Sequence, residues 1–271
     1  MPARSRHSDI DSHDSAGPKR VPPSPESSSQ DLLAAPEARR FPLDQFSRSE
    51  LIAAIHQIPE AGEDEKLPQA DLTGARGQDF LLMRLDHPVR LNVDGPLGDY
   101  ACAFNAEADV RISGSVGAGV GEGMSSGSVR VRGDAGVGAG TAMTGGTLAI
   151  YGNAGDRCGA AMRGGGLFVR GDVGSEVGVG ALSGMIVIGG NAGHSLGDRM
   201  SNVTIFIRGK VESLAPGVTE APLRKREQLR LGLLLINASI RGEAKEFRRI
   251  VPVEMLQAEQ ANRGEVNPNW R

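Results

Sequence analysis

Pairs of aliphatic residues recur at even spacing through the middle of the chain. Each pair encloses one other residue and ends two positions before a glycine, and all fourteen members are Leu, Val or Ile: Leu91 and Val93, Val110 and Ile112, Val129 and Val131, Leu148 and Ile150, Leu167 and Val169, Ile186 and Ile188, Ile205 and Ile207. Such alternation is typical of a β-strand with one buried face. The enclosed residues belong to the opposite face: Asn92, Arg111, Arg130, Ala149, Phe168, Val187 and Phe206. The pattern predicts seven short strands whose outer face changes from polar to apolar.

The glycines that follow these pairs are strictly periodic. Thirty of the 38 glycines lie between residues 95 and 209, and seven of them stand 19 residues apart: Gly95, Gly114, Gly133, Gly152, Gly171, Gly190 and Gly209. Nineteen extended residues trace a path of roughly 60 Å, enough for one turn of a three-sided coil, and stacked coils lie roughly 4.8 Å apart. We therefore expect an all-β chain, a right-handed parallel β-helix of about seven 19-residue coils over residues 87–217, with short helices flanking both ends.

The seven periodic glycines are expected to mark the corners of the coil. Glycine suits a corner that requires positive φ, and it suits close stacking where a Cβ has no room. The residues that follow six of these glycines favour a ladder of turns, since most of them cap turns with their own side chains: Ser115, Asp134, Asn153, Asp172, Asn191 and Lys210. A calcium-binding glycine–aspartate repeat fits less well, because Asp and Asn alternate and the period is 19.

The segments outside the repeat differ in composition. Residues 1–40 contain eight Ser, six Pro and no aromatic residue, which predicts a disordered extension. Residues 41–86 are expected to form an N-terminal cap, with a helix that begins at a Ser47 and Glu50 capping box, covers the first coil, and is followed by an entry strand at 80–85. Residues 218–271 are expected to form a C-terminal helix and tail.

The C-terminal helix is expected to begin near Pro222 and to run through Leu229, Leu233 and Ile236. The apolar outer residues of the later strands offer it a place to pack. Two alternatives remain open for that apolar stripe: the chain covers it with its own helix, or a partner protein does.

Charge and cysteine content exclude several classes of function. The formal net charge of −3 gives no electrostatic reason to bind nucleic acid or an anionic membrane. Purely aliphatic runs such as Leu233 to Ile236 are too short to cross a bilayer. Two cysteines do not suggest a disulfide framework, so the expected location is the cytoplasm.

The sequence predicts no catalytic, cofactor-binding or metal-binding residue. The five histidines lack metal-site spacing, and the usual nucleophile and phosphate-binding motifs are missing. Cys158 is expected to be a buried side chain rather than a reactive thiol, and Met124, Met143, Met162 and Met200 are expected to fill the core. The possible interface residues are those that project outward on the strand side: Arg130, Arg132, Phe168, Arg170 and Phe206.

The repeat unit, as in the 19 residues from Val129 to Thr147, resembles the GXGXG repeat at the C-terminal end of the large subunit of glutamate synthase. It is also similar to the coiled scaffold subunit of formylmethanofuran dehydrogenase. Surrounding segments are most similar to the free-standing glutamate synthase-like subunit of N-methylglutamate synthase (methylamine–glutamate N-methyltransferase) and its relatives: Phe41-Pro-Leu-Asp, Gly95-Pro-Leu-Gly-Asp-Tyr100, Gly190-Asn-Ala-Gly-His194, Ile207-Arg-Gly-Lys-Val-Glu-Ser213 and Glu246-Phe-Arg-Arg249. The likeness covers about residues 41 to 253.

This resemblance implies a non-catalytic scaffold subunit. Its partners would be an amidotransferase-like subunit with an N-terminal cysteine and an FMN-binding, iron–sulfur glutamate synthase-like subunit, whereas position 2 here is Pro2. Such an assembly converts methylamine and glutamate to N-methylglutamate and ammonia, or makes glutamate from glutamine and 2-oxoglutarate. Two alternatives stay open: the equivalent scaffold of a formylmethanofuran dehydrogenase-like or formyltransferase/hydrolase complex, and a stand-alone β-helix that binds a ligand or acts on carbohydrate. The last is disfavoured because neither paired carboxylates nor an aromatic platform recur along one coil face.

Overall fold

A computed structural model describes residues 39–62, 65–238 and 240–261. The extension expected at 1–40 lies outside these residues except for Arg39 and Arg40, which begin a strand. The strands are β1 (Arg39–Pro42), β2 (Gln69–Thr73), β3 (Arg90–Val93), β4 (Asp109–Ile112), β5 (Ser128–Val131), β6 (Thr147–Ile150), β7 (Arg163–Val169), β8 (Ser183–Ile188), β9 (Asn202–Ile207), β10 (Val218–Ala221) and β11 (Arg248–Pro252). The helices are α1 (Arg48–His56), α2 (Lys225–Asn237) and α3 (Val253–Ala261), with a 3₁₀ turn at Ala244–Glu246.

The strands form one sheet in the order β1-β2-β3-β4-β5-β6-β7-β8-β9-β11-β10. Pairing is parallel from β1 to β9, and equivalent residues of β3 to β9 stand opposite one another 19 positions apart, as with Val110 and Val129. The predicted parallel β-helix of about seven coils is confirmed. It begins earlier than expected, because β2 pairs with β3 across a 21-residue offset, Leu72 opposite Val93.

Each coil has three sides. One is the strand, and the second is marked by a single parallel bridge that recurs every 19 residues, for example Val116 to Ala135 and Ala135 to Ala154. On the third side every second residue is left-handed, as at Gly138 (φ 73°), Gly140 (φ 69°) and Ala142 (φ 55°). The amide of Gly138 donates to Asp156 O in the next coil at 2.8 Å, and that of Gly140 donates to Val120 O in the previous coil at 2.9 Å. This side is therefore hydrogen-bonded between coils although it is not a regular strand.

The entry strand expected at 80–85 is wrong. These residues belong to the third side of an early coil, with φ of 57° at Phe80, 59° at Leu82 and 58° at Arg84. Because every second residue here is left-handed, the backbone cannot form the extended strand that was expected.

One hydrophobic core runs from the N-terminal cap through all coils. Its inner walls are the aliphatic pairs of the strands, and the four periodic methionines are 0–7% exposed. Their predicted role as core filler is confirmed. Cys102 and Cys158 also lie inside, both 0% exposed.

The corner glycines are explained by one of the two expected causes. Only Gly95, with φ of 117°, has a left-handed backbone among the seven. The expectation that the corners require glycine because of positive φ is therefore wrong for the other six. Close stacking is the right one, since a Cβ at Gly152 would lie 2.6 Å from Gly133 O, and one at Gly190 would lie 2.5 Å from Gly171 O.

The expected turn ladder is present beside these glycines. Each side-chain oxygen accepts the backbone N–H of the equivalent residue one coil later: Asp134 Oδ1 from Asn153 at 2.7 Å, Asn153 Oδ1 from Asp172 at 2.9 Å, Asp172 Oδ1 from Asn191 at 2.6 Å, and Asn191 Oδ1 from Lys210 at 2.8 Å. Asp and Asn are interchangeable in this ladder because only one acceptor oxygen is used.

Both ends of the coil are covered. The Ser47 and Glu50 capping box begins α1, which places Leu51 and Ile55 in the core at 1% and 0% exposure. This confirms the predicted helix and its contact with the solenoid. At the other end β11 adds antiparallel to β9, and β10 adds to β11. Two strands and two helices thus replace the expected single helix and tail.

Candidate functional site

Helix α2 lies across the apolar stripe that the outward-facing residues of β6 to β9 form on the sheet. Phe168 and Phe206 are 3% and 4% exposed, and they pack with Leu231 and Leu235 of α2 in a second hydrophobic cluster. The chain therefore covers the stripe itself. The expectation that Phe168 and Phe206 form an interface with a partner is wrong, because α2 occupies the surface on which they lie.

The side of α2 that was expected to pack on the solenoid, with Leu229, Leu233 and Ile236, is exposed. The helix begins at Lys225, three residues after Pro222, and it buries Leu231 and Leu235. The residues on which the sequence argument rested are exposed on the opposite side: Leu229 by 74%, Leu233 by 66% and Ile236 by 74%. The helix has apolar residues on both faces, so periodicity alone gave no basis for choosing between them.

The early strands carry a cluster of arginines around one carboxylate. Asp109 is 9% exposed and accepts hydrogen bonds from Arg90 Nε at 2.9 Å, Arg130 Nη1 at 2.6 Å and Ser128 Oγ at 2.6 Å, while Arg111 Nη2 lies 3.6 Å away. These residues lie on β3, β4 and β5, and parallel stacking brings them together. Three guanidinium groups surround one carboxylate, which leaves net positive charge on this face.

The charge state of Asp109 is set by these neighbours. Burial by itself raises the pKa of the Asp109 carboxyl, but hydrogen bonds from Ser128 and Arg90 and the charges of Arg130 and Arg111 outweigh it. The net effect lowers the pKa below its ordinary value, so the carboxylate stays ionised at neutral pH. Arg130 is half-buried, and its Nη1 already donates hydrogen bonds to Asp109 and Ser128 within the chain.

The other arginines of the strand side differ in what they contact. Arg132 and Arg170 are exposed, and the guanidinium carbon of Arg170 lies 5.9 Å from the ring centre of Tyr151. Arg208 donates to Gly189 O at 2.9 Å and to Arg241 O at 2.7 Å, so it ties the coil to the C-terminal segment. Of the five residues predicted to form an interface, Arg130, Arg132 and Arg170 remain accessible to a partner.

An aromatic surface was missed by the sequence argument. Phe80, Tyr100 and Phe104 are 42%, 38% and 47% exposed, and the rings of Phe80 and Tyr100 stack with centres 5.4 Å apart and planes 3° apart. All three have φ of 57°, and the coil that follows Tyr100 and Phe104 has glycine at the equivalent positions, Gly119 and Gly123. A Cβ at Gly123 would lie 2.6 Å from the Phe104 ring, so that glycine makes room for it. Aromatic residues in a glycine column were the signal that could have revealed this surface.

Cys102, Cys158, His56 and His87 occupy structural positions. Burial raises the pKa of both Cys102 and Cys158 to about 12, so both are protonated at neutral pH and neither is poised as a nucleophile. His87 is 7% exposed and contacts Ile58 O at 2.8 Å through Nε2, whereas His56 lies 3.0 Å from Asp86. Within residues 39–62, 65–238 and 240–261, no three His, Cys, Asp or Glu side chains are grouped to hold a metal ion.

No helix in the described part of the chain is both long and apolar enough to cross a bilayer.

Comparison with known proteins gives a local similarity. No family model matches the chain. Over 86 residues the chain is 35% identical to Protein GlxC of Rhizobium meliloti (strain 1021), a match that covers 32% of this chain. The chain spans about a third of the length of that relative, 34%.

Proposed function

We propose that the chain is a non-catalytic scaffold subunit of a glutamate synthase-like complex, in which it holds an amidotransferase-like subunit and an FMN-binding synthase-like subunit together. The observation that carries the proposal is the single core that passes through every coil. A continuous core and an 11-stranded sheet make the solenoid a stiff body whose sides carry different chemistry. Stiffness with distinct surfaces suits a part that fixes the positions of others.

The glutamate synthase relationship has two supports. The GXGXG repeat resembles the C-terminal part of the large glutamate synthase subunit, and the local match to Protein GlxC supports a glutamate synthase-related assignment. We assign the chain more narrowly to an N-methylglutamate synthase, which forms N-methylglutamate and ammonia from methylamine and glutamate. FMN and the iron–sulfur cluster belong to the synthase-like partner in this proposal, as the resemblance implies.

Co-purification tests the proposal. The tagged chain, isolated from its source cells, should bring down a flavin-containing protein and an amidotransferase-like chain, identified by FMN fluorescence and mass spectrometry. The isolated complex should release ammonia from glutamate when methylamine is added. Recovery of a molybdenum or tungsten protein would favour the formylmethanofuran dehydrogenase-like alternative and contradict this one.

The exposed aromatic residues bear on the second candidate, a carbohydrate-binding module. The sequence argued against carbohydrate binding because no aromatic platform was found in it. Phe80, Tyr100 and Phe104 nevertheless form an exposed aromatic surface. The faces of Phe80 and Tyr100 cover each other at 5.4 Å, however, and the guanidinium carbon of Arg48 lies 5.4 Å from the centre of the Phe80 ring. A sugar ring needs a free aromatic face, so this geometry suits a protein contact better.

A further inference from the structure

Helix α2 is apolar on two opposite sides, and only one of them has a partner within the chain. Leu231 and Leu235 are 1% and 2% exposed against the solenoid. Leu229, Leu233 and Ile236 follow one another at intervals of four and three residues, so they line one side of the helix, and they are 66–74% exposed. We call these three residues the outer stripe. Three large aliphatic side chains exposed side by side on one helix are typical of a docking surface, which indicates that another element covers the outer stripe.

The charged side chains of α2 that lie beside the outer stripe are all basic. Lys225, Arg226 and Arg230 are exposed beside it, and the one acidic residue of α2, Glu227, lies 3.0 Å from buried Arg249 instead. The carboxylates at the neighbouring 3₁₀ turn form ion pairs with other residues: Glu243, which precedes the turn, lies 2.6 Å from Lys245, and Glu246 lies 3.9 Å from Arg208. Within the described residues the outer stripe is thus apolar with a basic border.

This arrangement determines the kind of occupant. A second copy of the chain docked two-fold through this face would offer the same basic, apolar surface, so the contact would bring no carboxylate to Lys225, Arg226 or Arg230. A surface with apolar residues bordered by Asp or Glu matches both features. We propose that the outer stripe docks an acidic amphipathic helix of another subunit, with leucine-like side chains against Leu229 and Leu233 and carboxylates against Arg226 and Arg230. The inference deepens the proposed function and rests on it, because it names one docking surface of the scaffold.

Binding of two matched peptides to the full-length chain tests this inference. The probes are fluorescent amphipathic helical peptides with the same leucine stripe, one bordered by Glu and the other by Lys, and binding is followed by fluorescence anisotropy. The Glu peptide should bind about tenfold more tightly than the Lys peptide at low salt, and added salt should reduce the difference. Equal binding of the two peptides, or binding of neither, would overturn the proposal.

Variants locate the site. Leu229→Gln, Leu233→Gln and Ile236→Gln together should weaken binding of the Glu peptide about tenfold or more, and Gln keeps the helix because its helix propensity is good. Arg226→Gln with Arg230→Gln should bring the two peptides within about twofold of each other. Val137→Ser with Leu182→Ser removes two other exposed aliphatic residues, 50% and 51% exposed, and should leave binding unchanged. Unchanged binding in the triple Gln variant with an unchanged circular dichroism spectrum would place the site elsewhere and overturn the proposal.

Two results would assign the outer stripe to another occupant and overturn the proposal. One is a wild-type dimer in sedimentation velocity that becomes a monomer in the triple Gln variant, which identifies a second copy. The other is tighter peptide binding by a Leu32→Gln, Leu33→Gln variant, which identifies the chain's own N-terminal segment.

Co-purification separates this inference from the proposed function. If the flavin protein and the amidotransferase-like chain are recovered equally with wild type and with the triple Gln variant, the docking surface is wrong and the scaffold role stands. If the peptides behave as expected but those two proteins are not recovered, the scaffold role in that complex is wrong and the surface stands.

Discussion

At the scale of single residues, the solenoid is controlled by how closely successive coils approach. The corner glycines are needed because the carbonyl of the previous coil occupies the space of a Cβ, as Gly133 O does at Gly152. Side-chain oxygens then satisfy the backbone N–H groups at the same corners, one coil apart. Residue choice at a corner is thus dictated by the neighbouring coil rather than by the residue's own φ.

Alanine at Gly152 should destabilise the chain. Its Cβ would lie 2.6 Å from Gly133 O, so the coils must separate, and we expect the free energy of unfolding to fall by about 1–3 kcal/mol. Gly232→Ala is the matched control, since nothing lies within 4 Å of a Cβ in that helical position and Ala should stabilise α2 by about 0.5–1 kcal/mol. Urea denaturation measures both, and equal effects of the two substitutions would contradict the stacking argument.

Asp109 should make stability depend on pH. Its pKa is lowered in the folded chain, so its contribution is fully present above the unfolded value of about 3.9 and is lost as the pH falls through the lower native pKa. Asp109→Asn should cost about 1–3 kcal/mol at pH 7, because three arginines lose their shared carboxylate, and much less in strong acid. Exposed Asp44→Asn is the control. A difference between wild type and Asp109→Asn that does not shrink below pH 4 would argue against the ion cluster.

Neither thiol should react in the folded chain. Cys102 and Cys158 are 0% exposed, and burial raises the pKa of each to about 12. Ellman's reagent at pH 7 should detect neither before denaturation and both in denaturant. Fast labelling of Cys158 in the native chain would restore the possibility of a reactive thiol.

Sequence reasoning succeeded for residues whose role repeats and failed for those whose role depends on a single contact. The methionine column and Cys158 were placed correctly because their periodic positions put them in the inner wall. Phe80 and Tyr100 were missed because their left-handed backbone is set by the coil around them, which no local pattern of apolar residues records.

At the scale of elements, the C-terminal segment is held by a buried ion cluster. Arg249 of β11 is 1% exposed and donates to both carboxylate oxygens of Glu259 of α3, at 2.6 and 3.1 Å. Its Nε lies 3.0 Å from Glu227 of α2, although it is not aligned for a hydrogen bond. Arg224 also contacts Glu259. One guanidinium therefore connects the last strand with both C-terminal helices.

Removing that guanidinium should loosen α3. Arg249→Met leaves Glu259 and Glu227 without their buried counter-charge, a loss that costs about 3–5 kcal/mol. Its neighbour Arg248 is the matched control, because its pair with Glu220 at 3.2 Å is exposed and such pairs contribute about 0–1 kcal/mol. Hydrogen–deuterium exchange of α3 amides should accelerate strongly in Arg249→Met and little in Arg248→Met, and similar exchange in both would refute the cluster's role.

Elements were predictable from the sequence where a local signal was decisive. The capping box at Ser47 gave α1 its start, and the aliphatic pairs gave the strands. The side of α2 that packs was assigned wrongly, and the antiparallel pair β10 and β11 was not foreseen. Both depend on contacts between distant parts of the chain, Ile205 with Ile250 for example, that carry no periodic mark.

At the scale of the whole molecule, the 19-residue period determined the architecture. A fixed period forces each coil onto the previous one, so the sheet and the core follow from a single spacing. The arrangement of the outer surfaces follows less directly: arginines around Asp109 on the early coils, aromatic residues on the third side, and α2 with its outer stripe on the late coils. These separate surfaces suit the scaffold role that we propose.

The most direct test of the proposed scaffold role is assembly of the two proposed partner subunits with and without this chain. Sedimentation velocity and ammonia release from glutamate and methylamine would be measured on the same mixtures. We expect the amidotransferase-like and FMN-binding subunits to sediment separately and turn over slowly alone, and to form one active particle when the chain is added. Full association and activity of the two partners without the chain, or ammonia release by the purified chain alone, would contradict the account.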